Sequence, residues 1–379
     1  MAQYDLILQG GEVIDPASGR RGRSDVAFLR GSIAAIEPAI PAAEAARVES
    51  AAGKIVVPGL IDMHTHLFDG VGESVNADEG CLARGATTGA DAGSAGALLI
   101  EAFRRLTAGN RTRVLAWLNL STIGQVDTRV GELMALPWVD VDAAVAAAQA
   151  YPDLIVGLKA RLSTYAAGGS CKPALRLLRE AADATKLPVM VHVGDTGEPL
   201  SEIFAFLSPG DVVSHILTGR KNGILQSDGK IIPDAFAARK RGILFDAARG
   251  RNHVSFPVMQ AAVEQDLVPD VLSTDITRFT AADPSYGVCT LATQLMSFGV
   301  PLERVVAAMT ANPAAAMHRD DLGRLAVGGV GDATVLDVEE GEFTLRDVDG
   351  RSRPADRRLV PTAVVKAGEY MALEVPPAA

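Results

Sequence analysis

The chain has 379 residues, of which 48% are hydrophobic, enough for one large barrel with an appendage or for two or three domains. A net charge of −10 argues against a surface that binds nucleic acid. Three scattered cysteines offer no disulfide framework, no basic-then-apolar leader opens the sequence, and no apolar stretch reaches transmembrane length. We therefore expect a cytoplasmic protein with neither nucleic acid nor a membrane as partner.

The two ends of the chain have the pattern of short strands separated by turns. Apolar runs broken by glycine occur in YDLILQGGEVID and SDVAFLRGSIAAIEP near the start, and in GDATVLDVEEGEFTLRD and PTAVVKAGEYMA near the end. Each end alone has too few strands to be stable by itself. We predict that residues 1–57 and 318–379 pair into one small β domain.

The middle of the chain, residues 58–317, alternates strand-like runs with helix-like segments such as CKPALRLLREAADAT and FPVMQAAVEQDL. This alternation is typical of parallel βα units. Eight of them predict an α/β fold, a (β/α)8 TIM barrel. The eight strand-like runs are GLIDMHTH, ATTGADAG, RVLAWLNLS, IVGLKARLS, PVMVHVGD, DVVSHILTG, GILFDAARG and DVLSTDIT.

Polar side chains stand at the ends of several predicted strands, which is where barrels of this kind carry their active sites. Residues i and i+2 of a strand face the same side, so the two histidines of the HTH sequence can reach one ion together. Zinc readily takes imidazole nitrogens and carboxylate oxygens. The candidate metal ligands are His64, His66, Lys159, His192, His215 and Asp275.

Each candidate alone has an ordinary structural explanation. The pair His64 and His66 could be hydrogen-bonded structural imidazoles, a lone strand histidine is usually a satisfied core residue, and Asp275 could cap a helix. The combination favours a metal site, because four of the six histidines fall on three predicted strand ends that a barrel brings together.

Lys159 does not fit a metal site as an ordinary ammonium, because a protonated lysine cannot bind a cation and is costly to bury beside one. A neutral amine can react with carbon dioxide to give a carbamate, which is an anionic ligand able to bridge two metals. The position of Lys159 invites this N-carboxylated form.

Taken together, these residues resemble the amidohydrolase superfamily of metallohydrolases. The resemblance rests on PGLIDMHTH, the lysine of strand 4, the histidines of strands 5 and 6 and the aspartate of strand 8, and on TANPA and LGRLAVGGVGDATVLD further on. It implies a small β-sandwich built from both termini and two divalent ions, usually zinc. His64, His66 and Asp275 would hold one ion, His192 and His215 the other, and carboxylated Lys159 would bridge them.

Within the superfamily, VGLKARLS and VMVHVGD look most like the amidohydrolase/deacetylase group, which cleaves acetyl esters and N-acyl groups. Dihydroorotases carry an arginine two residues after the second histidine, where this chain has Phe68. Hydantoinases place a tyrosine shortly after the bridging lysine, and Tyr165 is one residue off that spacing. Alternatives to a deacylase are a cyclic amidohydrolase and a non-catalytic scaffold relative.

The resemblance implies hydrolysis of an amide or ester by a hydroxide that bridges the two metals. Asp275 would take a proton from the attacking water and deliver it to the leaving group. Lys159, as the carbamate bridge, is the second residue assigned to catalysis.

Substrate contacts are expected on the barrel strands and loops near the mouth. Arg161 shares the strand face of the bridging lysine, so it either grips a substrate carboxylate or forms a structural ion pair with an acidic loop residue. His253 either lines the mouth or is exposed. Tyr165, Arg278 and Tyr286 complete the candidates. The partner is a small carboxylate-bearing molecule, and we expect a homo-oligomer.

Overall fold

A computed structural model describes residues 2–127, 129–169 and 171–375 of the chain. Two sheets organise these residues. One has eight strands drawn from both ends of the sequence, and the other has seven parallel strands from the middle. Within the described ranges, none of the helices combines the length and the apolar character needed to cross a bilayer.

The eight-stranded sheet joins the two ends of the chain. Its central strand β5 (Ile55–Pro58) pairs in parallel with β1 (Tyr4–Asp15) on one side and antiparallel with β13 (Ala333–Arg346) on the other. The order is β15-β14-β13-β5-β1-β2-β3, with β4 also paired to β1. Its strands are β1 Tyr4–Asp15, β2 Arg20–Leu29, β3 Ser32–Glu37, β4 Ala45–Ser50, β5 Ile55–Pro58, β13 Ala333–Arg346, β14 Ser352–Lys366 and β15 Glu369–Ala372. The two ends therefore meet in one sheet, while the sandwich and the domain limits stay predictions.

The seven-stranded sheet is parallel throughout and follows chain order from β6 to β12. A parallel sheet is covered on both faces, and accordingly every residue of β7 (Ala86–Gly96) and β9 (Ile155–Arg161) is buried. These strands are β6 Leu60–Thr65, β7 Ala86–Gly96, β8 Arg113–Asn119, β9 Ile155–Arg161, β10 Val189–His192, β11 Val212–Ser214 and β12 Leu244–Asp246.

Both edges of the parallel sheet reach the same segment, which was predicted as the eighth strand. Thr65 of β6 bridges to Ile276, and Asp246 of β12 bridges to Val271. The sheet is therefore curled, but the segment makes single bridges instead of a continuous strand. Extended backbone is interrupted at Asp275, which has a left-handed φ of 52°.

Helices follow most strands of the curled sheet and cover it from outside. The clearest is α5, whose buried residues recur every three to four positions, as the sequence predicts. The helices are α1 Ala77–Gly80, α2 Ile100–Thr107, α3 Val141–Ala150, α4 Thr164–Ala167, α5 Cys171–Thr185, α6 Leu200–Phe204, α7 Pro233–Lys240, α8 Phe256–Glu264, α9 Val288–Ser297, α10 Leu302–Met309 and α11 Ala311–Ala316.

Candidate metal centre

The carboxyl ends of the parallel strands surround a small polar cleft of about 90 Å³. The imidazole centroids of His64 and His215 lie 5.0 Å apart, and those of His192 and His215 lie 4.2 Å apart. Eight of the predicted site residues line the cleft, namely His64, His66, Lys159, Arg161, Tyr165, His192, His253 and Asp275.

Asp275 lies in the segment that bridges to both β12 and β6, and it faces three of the histidines. Its Oδ1 lies 3.0 Å from Nε2 of His66 and 3.5 Å from Nε2 of His64, and its Oδ2 lies 4.0 Å from Nε2 of His215. One ligand atom each from His64, His215 and Asp275 lies within 4.8 Å of the others. A second set with this property is His192, His215 and His253. The second set adds His253, which the sequence predicts only as a residue of the mouth.

The imidazole of His64 is oriented by a carboxylate behind it. Its Nδ1 lies 3.1 Å from Oγ of Ser214 and 3.2 Å from Oδ2 of Asp246, and that carboxylate is itself held by the hydroxyl of Ser273. These contacts leave Nε2 of His64 directed at the cleft. A carboxylate bound to the far nitrogen of a histidine is the arrangement that commonly orients metal ligands.

Two further imidazoles, those of His66 and His215, are also held through Nδ1, one by a hydroxyl and one by a backbone carbonyl. Nδ1 of His66 lies 2.9 Å from Oγ of Ser94, and Nδ1 of His215 lies 2.7 Å from the carbonyl oxygen of Ala248, to which it donates. Nε2 of His215 is buried and has no hydrogen-bond partner among the described residues. A buried nitrogen without a partner is costly, so this atom fits a ligand that the site is built to receive.

Two of the predicted ligands have a strained backbone conformation. His215, directly after β11, has a φ of 68°, and Asp275 has a φ of 52°. Residues other than glycine adopt this left-handed region at an energetic cost, and such strain clusters at functional sites. The surrounding fold therefore holds both side chains in positions that an ordinary strand end would not give them.

The protonation states suit metal binding. Burial lowers the pKa of His64, His192 and His215 well below the usual imidazole value, so all three are neutral near pH 7. Neutral imidazole is the form that ligates metals. Burial also lowers the pKa of Lys159 to about 7, which makes the unprotonated amine accessible to carbon dioxide.

Lys159 is fully buried and has an unusual set of neighbours. Its Nζ lies 3.1 Å from Nε2 of His64 and 3.2 Å from Sδ of Met190. Neither atom neutralises an ammonium, so the amine stands among the predicted ligands without a close counter-ion. Its N-carboxylation stays a prediction.

Tyr165 and His253 flank the histidines at the mouth. The hydroxyl of Tyr165 lies 3.2 Å from Nε2 of His192. The ring of His253 lies 4.0 Å from that of His215, and its Nδ1 lies 3.4 Å from Oγ1 of Thr218. His253 is only partly exposed and lines the mouth of the cleft, which is one of the two alternatives expected for it.

Arg161 lies on the cleft side of β9 but is already paired. Its Nε and Nη2 donate to the two carboxylate oxygens of Glu132 at 2.7 and 2.5 Å, and both residues are buried. Burial alone would lower the pKa of Arg161, but the charge and hydrogen bonds of Glu132 raise it above its usual value. Of the two alternatives for Arg161, the structure contains the ion pair with an acidic loop residue.

Arg278 and Tyr286, both predicted as substrate contacts, lie outside the cleft lining. The side chain of Arg278 is exposed and rests on the ring of Phe279 at 4.9 Å. Tyr286 is buried, and its hydroxyl donates to the carbonyl oxygen of Gly250 at 2.6 Å. Strand-end position alone did not indicate where these loop side chains point.

Sequence reasoning missed several polar residues around the cleft, among them Asp246, Glu132 and Arg251. Asp246 ends a predicted strand just as the predicted ligands do, so the same criterion would have found it. Glu132 and Arg251 carry no such signal, because they lie in loops whose path the sequence does not give. Arg251 lines the mouth, and its Nη2 lies 3.5 Å from Oε1 of Glu73.

Comparison with known proteins agrees with this geometry. The model of the amidohydrolase family matches residues 55–369. The chain is 34% identical to a protein named deacetylase from Agrobacterium fabrum (90% of this chain, 85% of that one) and 30% identical to a deacetylase from Enterococcus faecalis (97% and 98%). A crystal structure described as a dihydroorotase superposes with a TM-score of 0.89 at 31% identity, over 98% of this chain and 100% of that one. The resemblance inferred from the motifs is confirmed.

Proposed function

Since the chain belongs to the amidohydrolase family, we propose that it is a metal-dependent deacylase, which hydrolyses an acyl amide or ester of a small carboxylate-bearing compound. The observation that carries the proposal is the buried, unpartnered Nε2 of His215 among neutral imidazoles and the Asp275 carboxylate. The deacetylase names of two relatives that align over most of the chain favour acyl transfer to water over other reactions of the family.

The proposed ligand sets use the residues that converge in the cleft. His64, His66 and Asp275 would hold one divalent ion, His192 and His215 the other, and N-carboxylated Lys159 would join the two. The donor set of imidazole and carboxylate fits zinc. When bound, two such ions would supply an activated water and a Lewis acid for the acyl carbonyl.

Asp275 is the group proposed to move the proton. Its carboxylate is partly exposed to the cleft, with 15% of the side chain accessible. Gly250 packs behind it so closely that a Cβ there would lie 2.5 Å from Oδ2. The carboxylate is thus held facing the reacting groups, where it accepts a proton from water and returns it to the leaving group.

We infer that Arg251, in place of Arg161, contacts the substrate carboxylate. The guanidinium of Arg161 already donates to both carboxylate oxygens of Glu132. Arg251 is half exposed at the mouth, stacks on the ring of Phe279 at 4.9 Å, and has only a 3.5 Å contact to Glu73. A substrate carboxylate can therefore reach this guanidinium without breaking a tight pair.

A second candidate is a cyclic amidohydrolase. The likeness to a structure described as a dihydroorotase favours it, as does the hydroxyl of Tyr165 beside His192. Phe68 argues against a dihydroorotase, because the position where that group carries a substrate-gripping arginine is here a buried phenylalanine packed on Phe103.

The proposal also includes predictions about the fold, the cellular location, the oligomeric state and the partners of the protein. Residues 270–277 would act as the eighth strand of a (β/α)8 barrel spanning 58–317. The eight-stranded sheet would belong to a small β-sandwich formed by residues 1–57 and 318–379. A cytoplasmic location, a homo-oligomer and the absence of a nucleic-acid partner remain part of the same proposal.

The proposal is tested by metal content and a substrate panel. The purified protein should hold up to two divalent ions per chain and hydrolyse acetylated hydroxy acids or N-acetyl amino acids in preference to cyclic amides. The double variant His64→Ala/His66→Ala should lose at least one ion and all hydrolysis. Full activity of a metal-free double variant would refute the metal centre, and ring opening without deacylation would select the cyclic amidohydrolase.

A further inference from the structure

A second cavity of about 340 Å³ lies on the outside of the curled sheet, between helix α9 and the long hairpin of β13 and β14. It shares no lining residue with the cleft of the candidate metal centre. Its volume lies within the range of roughly 300–1,000 Å³ that small-molecule sites occupy. Nothing inferred so far about metal binding or hydrolysis uses this cavity.

The lining combines an apolar wall with an excess of positive charge. Leu345, Leu359, Val360 and Pro361 form part of the wall. Four arginines but only two acidic residues join them, and the arginines are Arg84, Arg249, Arg346 and Arg358. A guanidinium recognises a carboxylate through its planar fork, so this composition favours an anion with an apolar body.

Three of the four arginines already have partners. Arg84 donates to four backbone carbonyls, one of which belongs to Tyr286. Arg346 donates to Ser352, and Arg358 pairs with Glu339. These three side chains shape the cavity and contribute charge to it. They do not by themselves identify a contact for a ligand.

Arg249 differs from the other three. Its guanidinium lies 4.3 Å above the ring of Tyr286, and its Nη1 is buried with no hydrogen-bond partner among the described residues. Gln294 of α9 is 1% exposed, and its Nε2 donates to the carbonyl oxygen of Arg346. Its Oε1 is buried and has no hydrogen-bond partner among the described residues. Both residues line the cavity, so among the described residues its wall includes an unsatisfied cationic donor and an unsatisfied acceptor. Leaving such groups buried without partners destabilises the folded protein.

We propose that this cavity is a binding site for a small organic carboxylate that also carries a hydrogen-bond donor. The carboxylate accepts from Nη1 of Arg249, the donor bonds to Oε1 of Gln294, and the apolar body packs on Leu345 and Val360. Because Arg249 directly precedes Gly250, which packs behind Asp275, the site adjoins the metal centre without using any of its residues.

The test uses 4-hydroxyphenylacetate, which has a carboxylate, a hydroxyl donor and an apolar ring, and its neutral analogue 4-hydroxyphenylacetamide. Calorimetric titration of the purified protein should detect binding of the carboxylate and binding of the amide that is weaker by about tenfold or more. A crystal soaked with the carboxylate should place it against Arg249.

Variants decide which site the probe occupies. Arg249→Gln should weaken binding by about tenfold or more, the loss expected for a charge-assisted hydrogen bond. Leu345→Trp should block binding by filling the cavity, which keeps the test valid if the first variant disturbs its loop. Arg304→Gln removes the same charge from an exposed pair on α10 and should bind like wild type, as should Arg251→Gln at the other cleft.

Two outcomes would overturn the site. One is no binding of the carboxylate at millimolar concentration, and the other is equal binding by wild type, Arg249→Gln and Leu345→Trp.

Discussion

Two buried lysines, Lys159 in the cleft and Lys366 in the terminal sheet, differ in what surrounds the amine. Nζ of Lys366 lies 2.8 Å from a carboxylate oxygen of Asp332, which also accepts from Arg113 at 2.7 Å. Nζ of Lys159 instead faces an imidazole nitrogen of His64 and a thioether. Burial is the largest cause lowering the pKa of both amines, yet only Lys366 has an oppositely charged group in contact.

The contrast separates a structural charge cluster from a functional one. Asp332 joins β14 to the parallel sheet through complementary charges, and it satisfies a backbone N–H of Ala367 as well. The cleft instead leaves Nζ of Lys159 and Nε2 of His215 without such compensation among the described residues, which destabilises a fold unless a ligand or a modification supplies it. A cluster of this kind persists in a folded protein when it serves binding or chemistry.

The largest expected effect comes from removing the lysine of the cleft. Lys159→Met should lose most of the bound metal and turnover, because the proposed bridge is gone. Without metal the same variant should be more stable to urea than wild type by about 1–4 kcal/mol, because an apolar chain replaces a buried amine. Elemental analysis and urea unfolding measure the two effects. Normal metal content in Lys159→Met would contradict the bridge.

Asp275→Asn tests the proton carrier at the same cleft. The amide keeps the shape and one oxygen for a metal but cannot accept a proton at neutral pH. Metal content should survive better than turnover, with kcat lower by roughly 10²–10⁴. Steady-state kinetics on metal-replete protein provides the measurement, and a near-normal kcat with metal retained would remove Asp275 from the mechanism.

Asp332→Ala probes the structural cluster and should spare catalysis. It leaves Arg113 and Lys366 without their shared carboxylate, so the free energy of unfolding should fall by about 3–5 kcal/mol. Asp321→Ala is the control, because its pair with Arg319 is more exposed and should contribute about 0–1 kcal/mol. Equal losses in the two variants would mean that the buried cluster stabilises no more than a surface pair.

The smallest expected effect concerns substrate recognition. Arg251→Lys replaces a planar guanidinium by a point charge. For carboxylate-bearing acyl substrates the transition state should lose about 1.5–3 kcal/mol of stabilisation, which lowers kcat/KM. Uncharged acyl esters should be little affected. Arg161→Lys should lower kcat/KM for both substrate types alike, because it disturbs a buried ion pair with Glu132. The reverse pattern would make Arg161 the substrate contact.

Much of the fold was predictable because strand and helix patterns are local. The run IVGLKARLS predicts a strand, and the structure has β9 at Ile155–Arg161. The helix predicted at CKPALRLLREAADAT occupies Cys171–Thr185. The eighth strand was the exception, because the left-handed backbone of Asp275 is imposed by its neighbours and leaves no mark in the apolar pattern.

By itself, the sequence determined which side chains face the inside of the curled sheet. A strand alternates its side chains with a period of two, so the spacing of His64 and His66, and of Lys159 and Arg161, sets their direction wherever those strands lie. Tertiary structure alone decided what each of them meets. His64 contacts Asp246, 182 residues away, and Arg161 contacts Glu132 across an irregular loop. Such pairs depend on how distant segments pack, and no local periodicity encodes that.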